Sequence, residues 1–132
     1  MMSETDYAPN FGRPFDETRA GFSSAEIKMF SDLCDEVESI YGRQLLSVKL
    51  VGSRARGTAT AESDYDFLVF LESCDYDTDV PRLEAVGDDL TAKHGLGPLS
   101  LSPMSPEQYH GLDAKYEGIT EKFRRDAITL WP

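Results

Sequence analysis

The stretch from Val51 to Leu71, VGSRARGTATAESDYDFLVFL, concentrates the residue types that can do chemistry. An apolar run stops at Gly52-Ser53. A glycine-spaced turn with Arg54 and Arg56 follows, and the next apolar run opens with Asp64-Tyr65-Asp66. Gly52 has no Cβ, so the backbone there can approach a bulky ligand. Ser53 offers a hydroxyl and a backbone N–H at the expected start of a short helix. Unpaired N–H groups and the partial positive charge of a helix start suit a phosphate. Arg54 and Arg56 add fork-shaped donors for the same anion. Asp64 and Asp66 are two apart on a strand, so both carboxylates leave one face, with Cα atoms roughly 6.5–7 Å apart. Such a pair can converge on a hard cation such as Mg2+, which takes oxygen ligands and keeps substrate phosphates in its shell. A strand continuing Phe67-Leu68-Val69-Phe70 has little other reason to open with two acids, which are costly to bury without a cation between them. Two solvated aspartates at a strand end are the alternative.

Gly52-Ser53, ten intervening residues and then Asp64-x-Asp66 resembles the signature of the nucleotidyltransferase superfamily that includes DNA polymerase β. The compact GSRARG…SDYD form, on a chain of 132 residues, is most similar to the minimal nucleotidyltransferases. Those proteins are commonly encoded beside a HEPN-domain partner as its antitoxin. The diagnostic match covers about 20 of the 132 residues. The downstream order of helix, strand, helix and a basic pair, Arg124-Arg125, before a short apolar end also resembles this family. The resemblance implies transfer of AMP from ATP to a hydroxyl of a partner protein, a tyrosine of a HEPN-type toxin, with release of pyrophosphate. It implies that Gly52 and Ser53 hold the β- and γ-phosphates, with Arg54, Arg56 and Ser63 in the same nucleotide-binding set. Asp64 and Asp66 become the catalytic pair and the ligands of one or two Mg2+ ions.

One departure stands out. Members of the family usually carry a third carboxylate on the following strand. Here that candidate strand, Leu96 to Met104, reads LGPLSLSPM, and no acid lies between Asp89 and Glu107. Ser100 or Ser102 stands in its place. Glu107 is read as a helix-start residue, because an acid in a first turn complements the helix dipole. Two alternatives follow. One is a small-molecule nucleotidyltransferase of the aminoglycoside kind, whose cationic acceptors an acidic surface suits, although residues 105–132 are short for an acceptor domain. The other is a pseudoenzyme that acts by binding a partner.

The elements that must position these groups are legible from periodicity. Residues 1–22 hold breakers and no period and read as an N-terminal arm or loop, whose Tyr7, Phe11, Phe15 and Phe22 could dock. Residues 23–132 are expected to form the nucleotidyltransferase domain that the resemblance implies. Ser23 and Glu26 fit a capping box. Ile27, Phe30, Leu33, Cys34, Val37, Ile40 and Tyr41 then recur at helical spacing up to Gly42. Gln44–Val51 and Asp66–Leu71 read as strands, the second covered on both faces. Tyr65, between the acids, points to the opposite face and packs. Asp79–His94 is helical, capped by Asp79. Leu96–Met104 is a weaker strand, and Ser105-Pro106 opens a further helix with proline in its first turn. Its apolar stripe (Tyr109, Leu112, Tyr116, Ile119, Phe123) reads as core, interrupted at Gly111 and Gly118. Ala127–Trp131 is a last short strand. This alternation predicts an α/β fold with a mixed sheet, and the resemblance implies a nucleotidyltransferase fold, palm-like as in polymerase β, with flanking helices.

Composition excludes several classes. Thirteen Lys and Arg against 24 Asp and Glu give a net charge of −11, which argues against a nucleic-acid acceptor, since that affinity comes from basic side chains. No apolar run approaches the ~20 residues of a membrane span, and the N-terminal residues lack the order of a signal peptide. Cys34 and Cys74 make neither a CxxC pair nor a zinc spacing, so a reducing cytoplasm is expected. Asp75, Asp77 and Asp79 alternate as in a calcium loop, but Val80 stands where that loop needs glycine. His94 and His110 have no ligand-spaced partner and are not expected to be catalytic.

Overall fold

The computed structural model of the chain describes residues 10–132, so Tyr7 and the rest of residues 1–9 lie outside it. Five strands form one mixed sheet: β1 (Arg13–Pro14), β2 (Leu45–Val51), β3 (Tyr65–Leu71), β4 (Leu99–Met104) and β5 (Ile128–Trp131). Their spatial order is β1-β5-β2-β3-β4. The β1–β5 and β3–β4 pairs are parallel, while β2 is antiparallel to both β3 and β5.

Six helices surround the sheet: α1 (Phe15–Thr18), α2 (Ser24–Tyr41), α3 (Gly52–Arg56), α4 (Tyr76–His94), α5 (Pro106–His110) and α6 (Ile119–Asp126). The start of α2 is set locally. The Ser23 hydroxyl accepts from the Glu26 amide at 3.1 Å, and Glu26 Oε1 accepts from the Ser23 amide at 2.9 Å. The helix buries Met29, Phe30, Leu33, Cys34, Val37 and Tyr41. Ile40, expected inside, is exposed, and Met29 takes the inner position. At about 100° per residue the two positions lie only about 20° apart around the helix, so what separates them is that Ile40 falls in the last turn of α2.

Helix α4 starts earlier than its spacing suggested. Its cap is Asp75, whose Oδ1 accepts from the Asp77 amide at 3.1 Å. Asp79, the expected cap, is buried one turn in, where it accepts from the Asp75 amide and from the Tyr41 hydroxyl, each at 2.9 Å. A hydroxyl from a distant helix thus draws Asp79 inward and leaves the capping to Asp75.

The sheet divides two cores. On one face α2 and α4 pack Phe30, Leu33, Val37, Leu83 and Leu90 against Tyr65, Phe67 and Val69 of β3. On the other, Leu68 and Phe70 meet Val51, Met104, Tyr109 and Ala127. The stripe from Tyr109 to Phe123 breaks into α5, a 3-10 turn (Leu112–Ala114) and α6. Tyr109 is buried, whereas Tyr116 is 53% exposed and belongs to the surface. Residues 10–22, read as an arm or loop, carry β1 and α1. Phe11 packs on Phe70 and Tyr109, and Phe15 and Phe22 pack on Phe30. Among the described residues no helix is long and apolar enough to cross a membrane.

Candidate active site

The site forms where β2 turns into α3 and faces the start of β3. Val51 ends β2 beside Asp66 in the ladder, and Gly52 opens α3 directly after it. Gly52 has φ +75°, a left-handed conformation that side-chain-bearing residues rarely adopt, and a Cβ built there would lie 2.9 Å from Asp66 Oδ2. Glycine therefore answers two demands at this turn, the backbone twist and the room for a carboxylate. Ser53 follows in the first turn of α3, and its carbonyl accepts from the Thr58 amide at 3.1 Å.

Asp66 is half-buried as the second residue of β3, and Asp64 is exposed just before the strand begins. Burial, and then the neighbouring charge of Asp64, push the Asp66 carboxyl above its ordinary range. Two carboxylates under mutual repulsion, with one of them desolvated, form an oxygen-only donor set that a hard cation would relieve. Among the described residues no cluster of three or more His, Cys, Asp and Glu could hold a metal. An ion held by this pair would complete its shell with water and phosphate oxygens, as Mg2+ does.

In the β3–β4 register Asp66 sits beside Ser100, and Leu68 beside Ser102. Neighbours in a parallel pair point to one face, so both serines occupy the row where the family's third carboxylate would stand. An open groove of about 720 Å³ runs along β4, includes Ser100 in its lining and is flanked by the exposed rings of Tyr76 and Tyr116. Glu107 lies exposed in the first turn of α5.

The remaining candidates turn toward protein groups. Arg54 donates from Nη2 and Nε to the Ser63 carbonyl, at 2.9 and 3.3 Å, and its guanidinium lies 4.2 Å from the centre of the Tyr65 ring. Arg56 pairs with Asp126 at 2.6 Å. The Ser63 hydroxyl accepts from the Thr60 amide at 2.9 Å and closes the turn between α3 and β3. Tyr65 points to the opposite face, as its place between the acids predicts, and its hydroxyl donates to Glu26 Oε2 at 2.8 Å. Glu26 and Asp126 thus support the site from outside the motif, Glu26 through Tyr65 and Asp126 through Arg56. Glu26 had a local signal, its capping position, but nothing in the sequence joins it to Tyr65 or Asp126 to Arg56.

Other groups weighed in the sequence take structural places. Cys34 is buried, its thiol pushed up to about 12 by burial. His94 Nε2 lies 2.7 Å from Asp32 Oδ2.

The profile of a nucleotidyltransferase domain family matches residues 31–126, a span that contains Gly52, Ser53, Asp64 and Asp66. No curated protein matches the chain. Among solved structures, the chain is similar to a protein of Sulfolobus solfataricus assigned to the nucleotidyltransferases, with 21% identity and a TM-score of 0.46 over 80% of this chain and 78% of that one. With the family profile covering most of the sequence and the Asp66 carboxylate set against the glycine turn, the protein belongs to the nucleotidyltransferase domain family.

Proposed function

We propose that this protein transfers AMP from Mg2+-bound ATP to a hydroxyl of a partner protein, as the antitoxin of a HEPN-type toxin. The observation that carries the reading is the fit of the Asp66 carboxylate into the space left by Gly52, which places an acid against the phosphate-side turn. Asp64 and Asp66 would hold the ion, and Gly52 and Ser53 would face the β- and γ-phosphates. When bound, Mg2+ offsets charge developing on the transferred phosphate and on the leaving pyrophosphate. The acceptor oxygen bonds to the α-phosphorus, the bond to the pyrophosphate oxygen breaks, and the hydroxyl proton passes to solvent. The groove along β4 supports a bulky acceptor, since its lining includes Ser100, the ladder neighbour of Asp66. The protein acceptor, the toxin partner and ATP come from the resemblance of GSRARG…SDYD to the minimal nucleotidyltransferases.

A second reading has its own support. Ser100, next to Asp66, is neither a strong ligand nor a base at neutral pH, which favours a protein that binds its partner without turning nucleotide over. Titration calorimetry with ATP, GTP, CTP and UTP, with and without Mg2+, separates the two. The first reading expects Mg2+-dependent binding lost in Asp64→Asn and Asp66→Asn, and an adenylate mass increase on a co-expressed toxin. Nucleotide-independent neutralisation that survives both substitutions would establish the second and sink the first.

A further inference from the structure

Resting on the reading of Asp64 and Asp66 as metal ligands, we infer that Arg54 is a positioning residue that fixes the direction of the Asp64 carboxylate. The strand β3 contains only one of the two acids. Asp66 is held in the β3 ladder, whereas Asp64 precedes the strand and is exposed. Its direction depends on how the residues on either side of it are held.

Arg54 holds both. Two N–H groups of its guanidinium donate to the carbonyl of Ser63, the residue before Asp64. The central carbon of the same group lies over the ring of Tyr65, the residue after it, 4.2 Å from the ring centre. Tyr65 is anchored in turn, because its hydroxyl donates to Glu26 Oε2 while Oε1 of that carboxylate caps α2. The chain of contacts runs from the start of α2 through Glu26, Tyr65 and Arg54 to the peptide that carries Asp64. A planar fork that can donate in pairs and stack at the same time is a property of arginine, and lysine lacks it. Groups that orient metal ligands from behind typically change metal affinity about 10- to 100-fold when removed.

The position of Arg54 gives the inference a signed test. A cation near a metal site repels the metal, so if Arg54 acted only through its charge, its removal would tighten metal binding. If it acts by positioning, removal weakens binding despite the lost repulsion. The probe is Mn2+ alone, added to the isotope-labelled full chain without nucleotide and followed by paramagnetic broadening of amide signals around Asp64 and Asp66. We expect Arg54→Ala to weaken Mn2+ binding roughly 10-fold. Arg54→Lys, which keeps the charge but loses the fork, should also bind more weakly than wild type, with amide signals away from position 54, residues 60–66 and the start of α2 unmoved in both variants. Binding equal to or tighter than wild type in Arg54→Ala overturns the inference, as does full rescue by Arg54→Lys. If wild type binds Mn2+ but Asp64→Asn and Asp66→Asn bind it equally well, the metal reading itself fails and the role of Arg54 falls with it.

Discussion

The carboxylate of Asp66 occupies the space that a side chain at position 52 would fill: a Cβ on Gly52 would lie 2.9 Å from Asp66 Oδ2. The contact joins two residues 14 positions apart across the β2–β3 hairpin, so the spacing of the motif is a consequence of the fold. The ten residues between Ser53 and Asp64 hold the rest of α3 and one closed turn, the length needed to return the chain antiparallel beside β2.

Gly52→Ala tests that relationship. Alanine at φ +75° costs about 1–2 kcal/mol, and its methyl group displaces Oδ2. The protein is expected to stay folded, with its melting temperature lowered by a few degrees, while Mn2+ binding near Asp66 falls more than about 10-fold. That factor corresponds to at least about 1.4 kcal/mol. Thermal unfolding and metal titration on one preparation measure both effects. Wild-type metal affinity in the folded variant would remove Gly52 from the site.

How much of this was legible beforehand depends on the range of each interaction. The capping box at Ser23 joins residues three apart and is read directly from sequence and seen in the structure, and the helix start expected at Ser105-Pro106 is closed by a second such box, with Gln108. The runs that became β2 and β3 needed only apolar character, and the opposite faces of Tyr65 and Asp66 needed only a period of two. The directions of Arg54 and Arg56 were not legible. A guanidinium beside a phosphate turn suits an anion by type, but what it meets is decided by Ser63 and Tyr65 in one case and by Asp126, 70 residues away, in the other. Asp79 escaped for the same reason, since its partner Tyr41 is on another helix. Lys49 in β2 drew no comment as one charge in an apolar run, yet it is among the most buried side chains described.

The Arg56–Asp126 pair fastens α3 to the end of α6. Burial alone would raise the Asp126 carboxyl, but hydrogen bonds from Arg56 and Arg125 outweigh it and hold the group below the usual range. The folded state therefore binds this proton more weakly than the unfolded chain. Its stabilising effect is present above the ordinary Asp value near 3.8 and is lost as pH falls through the lower folded value. Asp126→Asn is expected to cost about 1–2 kcal/mol at pH 7, a buried-pair loss discounted for the partly exposed Arg56. Denaturant midpoints of both proteins from pH 7 to pH 2.5 should converge at the acid end. A gap of constant size would show that the pair does not act through charge.

Lys49 makes the opposite kind of contribution. Its ammonium donates to the Phe11 carbonyl and to Thr129 Oγ1 and sits 4.6 Å from the centre of the Phe11 ring. Among the described residues no carboxylate lies within ion-pair distance of it. Burial pushes its pKa down from 10.5 to about 8. Between those values the unfolded chain holds the proton more tightly, so the cost of burying Lys49 is greatest below pH 8 and disappears towards pH 10.5. Lys49→Met is expected to equal or exceed wild type in stability at pH 7. Its advantage should shrink by about 3 kcal/mol across that window, at 1.36 kcal/mol per pKa unit. Comparing the two proteins at each pH cancels the tyrosines and cysteines that also titrate there. A difference that stays flat from pH 7 to 10.5 would mean that Lys49 carries no such penalty.

Ser100 offers the most direct test of what the missing carboxylate changes. It is the ladder neighbour of Asp66 in a parallel pair, so its side chain leaves the same face on a strand about 4.8 Å away. An aspartate there stands next to a carboxyl that burial and Asp64 already push upward. Without metal, Ser100→Asp should be less stable than wild type through like-charge repulsion, and Mn2+ should restore that loss, because the ion is what allows three acids to share one place. Metal binding should tighten about 10-fold, or about 1.4 kcal/mol. If wild type transfers nucleotide slowly for lack of a base, the variant should also raise kcat more than it lowers KM. Ser102→Asp, beside Leu68, should do neither. Should Ser102→Asp tighten metal binding while Ser100→Asp does not, the ion would lie deeper along β3 than the Asp64–Asp66 pair places it, and the assignment of Asp66 as its ligand would have to be given up.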